Sequence, residues 1–92
     1  MSYQIRVAPS AADELTEYLT ESIGSACVRF IFGPLANDPK SVGTPLLAPF
    51  AGHWSAERGE YRIRYHLDDA ARRLDVLDIT HRRDPSTRAL LR

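Results

Sequence analysis

Two arginines, Arg62 and Arg64, stand two residues apart in the alternating run Tyr61 to Leu67, and the cluster His81-Arg82-Arg83 lies further along the chain. Residues two apart on a strand project from the same side of a sheet. If the strand holding Arg62 pairs with the one ending at His81, Arg62 and Arg82 converge on one concave surface. Such a set suits chemistry on a phosphodiester. A guanidinium makes planar, bidentate contacts to phosphate and stabilises the added negative charge of a pentavalent phosphorus. Histidine moves protons near neutral pH. RNA carries its own nucleophile, the 2′-hydroxyl, so this chemistry requires neither a metal nor a protein nucleophile. The same residues also fit an ordinary solvated strand face, with Glu57, Glu60, Asp75 and Asp78 as ion-pair partners.

Other chemistries find less support. His53, His66 and His81 with Cys27 show no ligand spacing of the zinc type. No serine sits in a strand–turn–helix elbow, and the glycines form neither a dinucleotide fingerprint nor a phosphate-cradling loop. Cys27 falls on the apolar stripe of a helix and reads as a small core residue. Trp54 is able to stack on a base, but its position before a strand favours packing.

The elements that must position these groups follow from periodicity. Tyr3, Ile5 and Val7 alternate with Gln4 and Arg6, a short first strand that Pro9 ends. Ser10 is placed to cap a first helix over roughly 11–20, with Asp13 in a capping-box position. Ser22 is placed to cap a second helix, whose stripe Ile23, Cys27, Phe30 and Ile31 is widened by Val28 and Phe32. Gly33-Pro34 is expected to stop or kink it. Residues 36–52 read as a loop punctuated by Pro39, Gly43, Pro45, Pro49 and Gly52. The period then changes to 2. Residues 53–58, Tyr61–Leu67 and Leu74–Ile79 read as strands of an antiparallel meander, with a turn at 68–71. The apolar residues of the last strand do not alternate, which points to a central strand with apolar contacts on both faces. Asp84-Pro85-Ser86 is placed to start a short C-terminal helix. The order β-α-α-β-β-β is that of an α+β domain, a helical hairpin packed on a twisted antiparallel sheet.

Composition sets the frame. The chain has 92 residues, 43% hydrophobic and 26% charged, enough for one domain spanning 1–92. Twelve basic residues balance twelve acidic ones, and eleven of the twelve basic residues are arginine. The balance is uneven along the chain: residues 1–52 hold three basic and five acidic residues, and residues 53–92 hold nine and seven. A single cysteine excludes an internal disulfide. The lack of a long apolar run argues against a membrane span, and the N-terminal residues are unlike a secretory leader, so a cytoplasmic location is expected.

The run Gly59-Glu60-Tyr61-Arg62-Ile63-Arg64-Tyr65-His66-Leu67-Asp68-Asp69, followed by an apolar strand and His81-Arg82-Arg83-Asp84, resembles the RelE/ParE toxin superfamily of type II toxin–antitoxin systems. Phe32-Gly33-Pro34-Leu35, Asn37-Asp38-Pro39, Gly43-Thr44-Pro45-Leu46 and Gly52 look like the RelE-type toxins of actinobacteria. The resemblance spans residues 22–84 and implies the same fold. It also implies a ribosome-dependent mRNA endoribonuclease acting by metal-independent 2′-hydroxyl attack, with no cofactor. The implied partners are a cognate antitoxin, the ribosome and mRNA, with operator DNA contacted only through the antitoxin. In that likeness Arg62 binds the scissile phosphate, Arg82 stabilises charge and His81 transfers a proton. Arg58, Arg64, Arg83 and Arg88 are the residues expected to hold the RNA backbone. The family's basic residues before the glycine correspond here to His53 and Ser55, and no tyrosine follows Tyr65. These departures fit a second reading, a catalytically weakened binding module acting through antitoxin and operator or on gyrase.

Overall fold

The computed structural model describes residues 2–15, 19–47 and 52–81. Five strands form one sheet in the order β1-β5-β4-β3-β2, with β1 at Gln4–Val7, β2 at Thr44–Pro45, β3 at His53–Arg58, β4 at Tyr61–Asp68 and β5 at Arg73–His81. Three pairings are antiparallel and β1 runs parallel to β5. That parallel pair requires a crossover, and the helices α1 (Pro9–Asp13) and α2 (Glu21–Phe30) occupy it. The α+β architecture expected from periodicity is therefore present, with one strand more than expected and a mixed rather than purely antiparallel sheet. The expected C-terminal helix lies outside the described residues.

Local chemistry explains where elements depart from expectation. The first helix begins at Pro9, with Ala8 as N-cap and no side-chain cap. Proline suits this first helical position because its missing N–H would have had no intrahelical partner. Ser10 does not cap: its hydroxyl donates to the Leu77 carbonyl at 2.9 Å and ties α1 to β5. The N-cap of α2 is Thr20 rather than Ser22, and its Oγ1 accepts from the Ile23 N–H at 3.3 Å. Gly33-Pro34 does not stop the helix. Ile31–Leu35 widen into a π-helical turn that contains Pro34, a wider ring that absorbs an irregular residue within a continuing helix.

The segment read as loop also carries structure. Pro39–Val42 form the short helix α3, and Thr44–Pro45 form β2 against Ser55 and Trp54. The uneven pattern of β5 has a different cause from the one expected. A bulge shifts the register, so that Arg64 faces Asp78 but Tyr65 faces Val76, leaving Leu77 as the extra residue. One inserted residue flips the parity, so Leu74, Val76 and Ile79 all face the helices while Asp75, Asp78 and Thr80 face away. β5 is central, as expected, but only one of its faces is apolar.

The core joins Cys27, Ile31 and Leu35 from the helical layer to Ala56, Ile63, Tyr65, Leu74, Val76 and Ile79 from the sheet. Burial pushes the Cys27 thiol pKa up, consistent with an inert packing role. Trp54 packs against this core as expected. Fully buried Tyr65 donates its hydroxyl to the Pro39 carbonyl at 2.6 Å, and burial raises its pKa further. Gly43 lies directly over that hydroxyl: a Cβ there would collide with it and come within 3.1 Å of the Ser55 carbonyl oxygen. The other end of the sheet is closed by Asp69, which accepts from the Tyr3 hydroxyl at 2.7 Å and from Lys40 Nζ at 2.8 Å, while Arg72 lies 4.5 Å over the Tyr3 ring.

Tyr65→Phe strands the Pro39 carbonyl and is expected to cost about 1–3 kcal/mol, which for a domain this size lowers the melting temperature by roughly 4–8 °C per kcal/mol. Gly43→Ala is expected to destabilise by about 1–3 kcal/mol through overpacking. Thermal or urea unfolding checks both. The pKa of Asp69 is held below its ordinary 3.8, first by the Lys40 hydrogen bond and then by that of Tyr3. A depressed carboxylate contributes stability that is fully present above its unfolded pKa and lost as pH falls through the folded one. Asp69→Asn should therefore flatten the acid end of the urea midpoint against pH and leave the rest of the curve parallel to that of the parent.

Candidate active site

Gly59 and Glu60 form a two-residue turn between β3 and β4, with Gly59 in the left-handed region at φ +62. Turns of this length favour glycine because a positive φ matches the twist of the flanking strands. Once the turn is set, the pairing follows: Glu57 opposite Arg62, Ser55 opposite Arg64, His53 opposite His66. On the other side of β4, β5 places Thr80, Asp78 and Asp75 opposite the same three residues. Nine side chains on three strands thus make a polar face on the side of the sheet away from α2.

Arg62 lies at its lower end. It is only 6% exposed, and its Nη2 donates to Glu57 Oε1 at 3.0 Å. Its Nε and Nη1 are buried and have no hydrogen-bond partner among the described residues. A buried N–H without an acceptor is costly, so the guanidinium is built to take up a further acceptor. One step along β4, Arg64 Nη2 donates to Asp78 Oδ2 at 2.6 Å. At the upper end His66 Nδ1 lies 4.0 Å from Asp75 Oδ2, and its ring meets that of His53 edge to face at 5.6 Å. The His53 pKa is lowered, first by burial, then by Arg64 and His66, against an opposing pull from Asp78. His53 is therefore neutral near pH 7.

The expected residues divide into three groups. Arg62 and Arg64 share the polar face. Arg58 does not join them: it pairs with Tyr61 and lines clefts with Ala26, Arg29, Phe30 and Pro34 on the helical side. The odd number of steps between Arg58 and the Glu57–Arg62 pair puts it on the opposite face. The backbone of His81 ends β5 opposite Tyr61. Arg82, Arg83 and Arg88 lie outside the described residues, and with them the expected convergence of Arg62 and Arg82. Two neighbours were missed as site residues. Glu57 was read only as an ion-pair partner, and Ser55 only as a replaced basic position. Ser55 is 5% exposed and its Oγ has no hydrogen-bond partner among the described residues. It lines an open cleft of about 440 Å³ with Val42, Thr44 and Glu57. The turn at Gly59 is the signal that would have paired these residues from sequence.

No protein-family model matches the chain. Two toxins of Mycobacterium tuberculosis are similar to it. Toxin RelE is 41% identical over 80 residues, covering 87% of this chain and 81% of that one. Toxin RelG is 39% identical over 84 residues, covering 91% and 95%. Among solved structures, the toxin–antitoxin complex RelBE2 of the same organism has a chain with a TM-score of 0.83 at 38% identity, covering 89% of this chain and 100% of that one. A free mutant of the Escherichia coli RelE toxin has a TM-score of 0.73 at 13% identity, covering 99% and 95%, a likeness of fold alone. With two relatives near 40% identity over most of both chains and the fold to match, the chain belongs to the RelE family of toxins.

Proposed function

We propose that this protein is the toxin of a type II toxin–antitoxin system and cleaves mRNA on the ribosome by attack of the RNA's own 2′-hydroxyl. The observation that carries the reading is Arg62: a guanidinium almost wholly buried in the polar sheet face of a RelE-family fold, with two N–H groups lacking an acceptor among the described residues. A phosphate oxygen is the acceptor that geometry and charge both favour. Arg64, one step along the same face, is placed for the next phosphate once it leaves Asp78. His81 as proton carrier, Arg82 as charge stabiliser, and Arg83 and Arg88 as backbone contacts remain parts of this proposal. Arg58 sits on the other face and would meet RNA only at the rim.

A cognate antitoxin is the expected partner, as in the toxin–antitoxin complex the chain resembles. Phe32 and Leu47 are 58% and 57% exposed and give such a partner apolar surface to cover. No helix among the described residues is long and apolar enough to cross a membrane, and the proposed substrate lies in the cytoplasm.

Expression without antitoxin is expected to arrest growth with mRNA breaks in phase with codons. Arg62→Ala should slow cleavage by about 10²–10³-fold, the usual cost of one donor to a transition-state oxyanion, with Arg62→Lys between the two. Arrest with DNA damage and intact mRNA would move the target to gyrase. No arrest would leave a binding module.

A further inference from the structure

Arg62 fixes where the reacting phosphorus sits, and that position restricts which group is able to take the proton from the attacking hydroxyl. The proton acceptor must come within about 3 Å of the 2′-oxygen, itself close to the phosphorus. Paired strands lie about 5 Å apart, and each residue along a strand adds about 3.3 Å. His53 and His66 are four residues along β3 and β4 from the Glu57–Arg62 pair, about 13 Å away. Asp78 is one step along, opposite Arg64 and bound to it at 2.6 Å. Glu57 is directly opposite Arg62, already in contact with it, and far more open: its side chain is 47% exposed against 7% for the arginine.

A second observation places the substrate. Glu57 forms one wall of the 440 Å³ cleft whose other walls are Val42, Thr44 and Ser55. Ser55 Oγ is buried there without a hydrogen-bond partner among the described residues, and a hydroxyl in that state is held for a ligand group or water. The cleft is large enough for a nucleotide, and it shares Glu57 with the ion pair to Arg62.

We infer that Glu57 is the general base of the cleavage, and that the cleft it shares with Ser55 seats the nucleotide whose 2′-hydroxyl attacks. The inference rests on the reading of the protein as an RNA-cleaving toxin. In the step, the 2′-oxygen gives its proton to a Glu57 carboxylate oxygen and bonds to phosphorus. The bond from phosphorus to the 5′-oxygen breaks, and that oxygen takes a proton from His81, the proton carrier proposed above, which regains one from water. The products are a 2′,3′-cyclic phosphate and a 5′-hydroxyl, and Glu57 returns its proton to solvent. Arg62 times the step. A carboxylate held by a guanidinium is a weak base, and it regains basicity when an anion takes that guanidinium. Incoming phosphate therefore releases the base as it binds.

The test uses ribosomes programmed with a defined mRNA, in native form for cleavage and with a 2′-deoxy nucleotide at the scissile position for binding. Glu57→Gln should slow cleavage by about 10²–10⁴-fold, the range of general base catalysis, while binding the 2′-deoxy complex as tightly as the parent or more so. Glu57→Asp should recover part of the rate. Ser55→Ala should weaken binding of the same complex. Cleavage by Glu57→Gln within about threefold of the parent would overturn the assignment. So would parallel losses of cleavage and binding, because they would make Glu57 a structural partner of Arg62. An inactive parent would instead remove the nuclease reading beneath the proposal.

Discussion

The two-residue turn at Gly59 and Glu60 decides which residues of β3 meet which residues of β4, and the chemistry of the polar face descends from it. With Arg58 opposite Tyr61, the pairs Glu57–Arg62, Ser55–Arg64 and His53–His66 follow without freedom. A slip of one residue would turn every side chain of the moved strand to the other face. Glu57 and Ser55 would then enter the core, and Ala56 and Trp54 would face water. Burial of Ala56, Ile63 and Tyr65 under the helices opposes that slip. The hydrophobic core and the ion pair at Arg62 are thus two consequences of one register.

The same register shapes how a protein of zero formal net charge would meet the polyanion of the proposed function. Among the described residues the cations of this face meet carboxylates from adjacent strands, Arg62 with Glu57, Arg64 with Asp78, Arg73 with Asp68 and Arg6 with Asp75, and Arg73 also meets Asp75 two residues along its own strand. The face is a lattice of alternating charge rather than a bare basic patch. Attraction at long range is correspondingly weak, and under the proposed function binding would proceed by exchange, a phosphate oxygen for a carboxylate oxygen on the same guanidinium. Buried Arg62 gains most from exchange because two of its N–H groups have no acceptor among the described residues to give up. Partly exposed Arg64 gains less.

Legibility from sequence tracks how local each determinant is. β4 was legible because Tyr61 to Leu67 alternate without interruption, and that alternation alone put Arg62 and Arg64 together. β5 was legible as a central strand but not in its facing, because the bulge at Leu77 depends on its pairing with β4 and not on its own residue types. The parallel seat of β1 against β5 is a contact between opposite ends of the chain. Neither Gln4 nor Arg73 signals it. Pro34 misled because its effect depends on whether a helix is able to widen around it, which the packing of Ile31 and Leu35 decides. Arg58 carries the right charge, but strand parity turns it to the helical side. Glu57 is visible in the sequence as an acid, and only the turn at Gly59 sets it opposite Arg62.

One connection ties the two faces of the sheet together. The cleft beside Glu57 is walled by Val42 and Thr44, and these come from a segment rich in proline and glycine. What holds the segment in place is on the core side: the Tyr65 hydroxyl bonded to the Pro39 carbonyl, the lack of a side chain at Gly43 that lets the chain pass over that hydroxyl, and Leu46 closing the edge through its N–H to the His53 carbonyl at 2.9 Å. Tyr65 is one residue from Arg64 and points the other way. A single strand therefore presents a guanidinium to the polar face and, through its next side chain, anchors the wall of the cleft beside it. Substitutions in the core near Tyr65 would reach the polar face by moving that wall, with no change in any residue of the polar face itself.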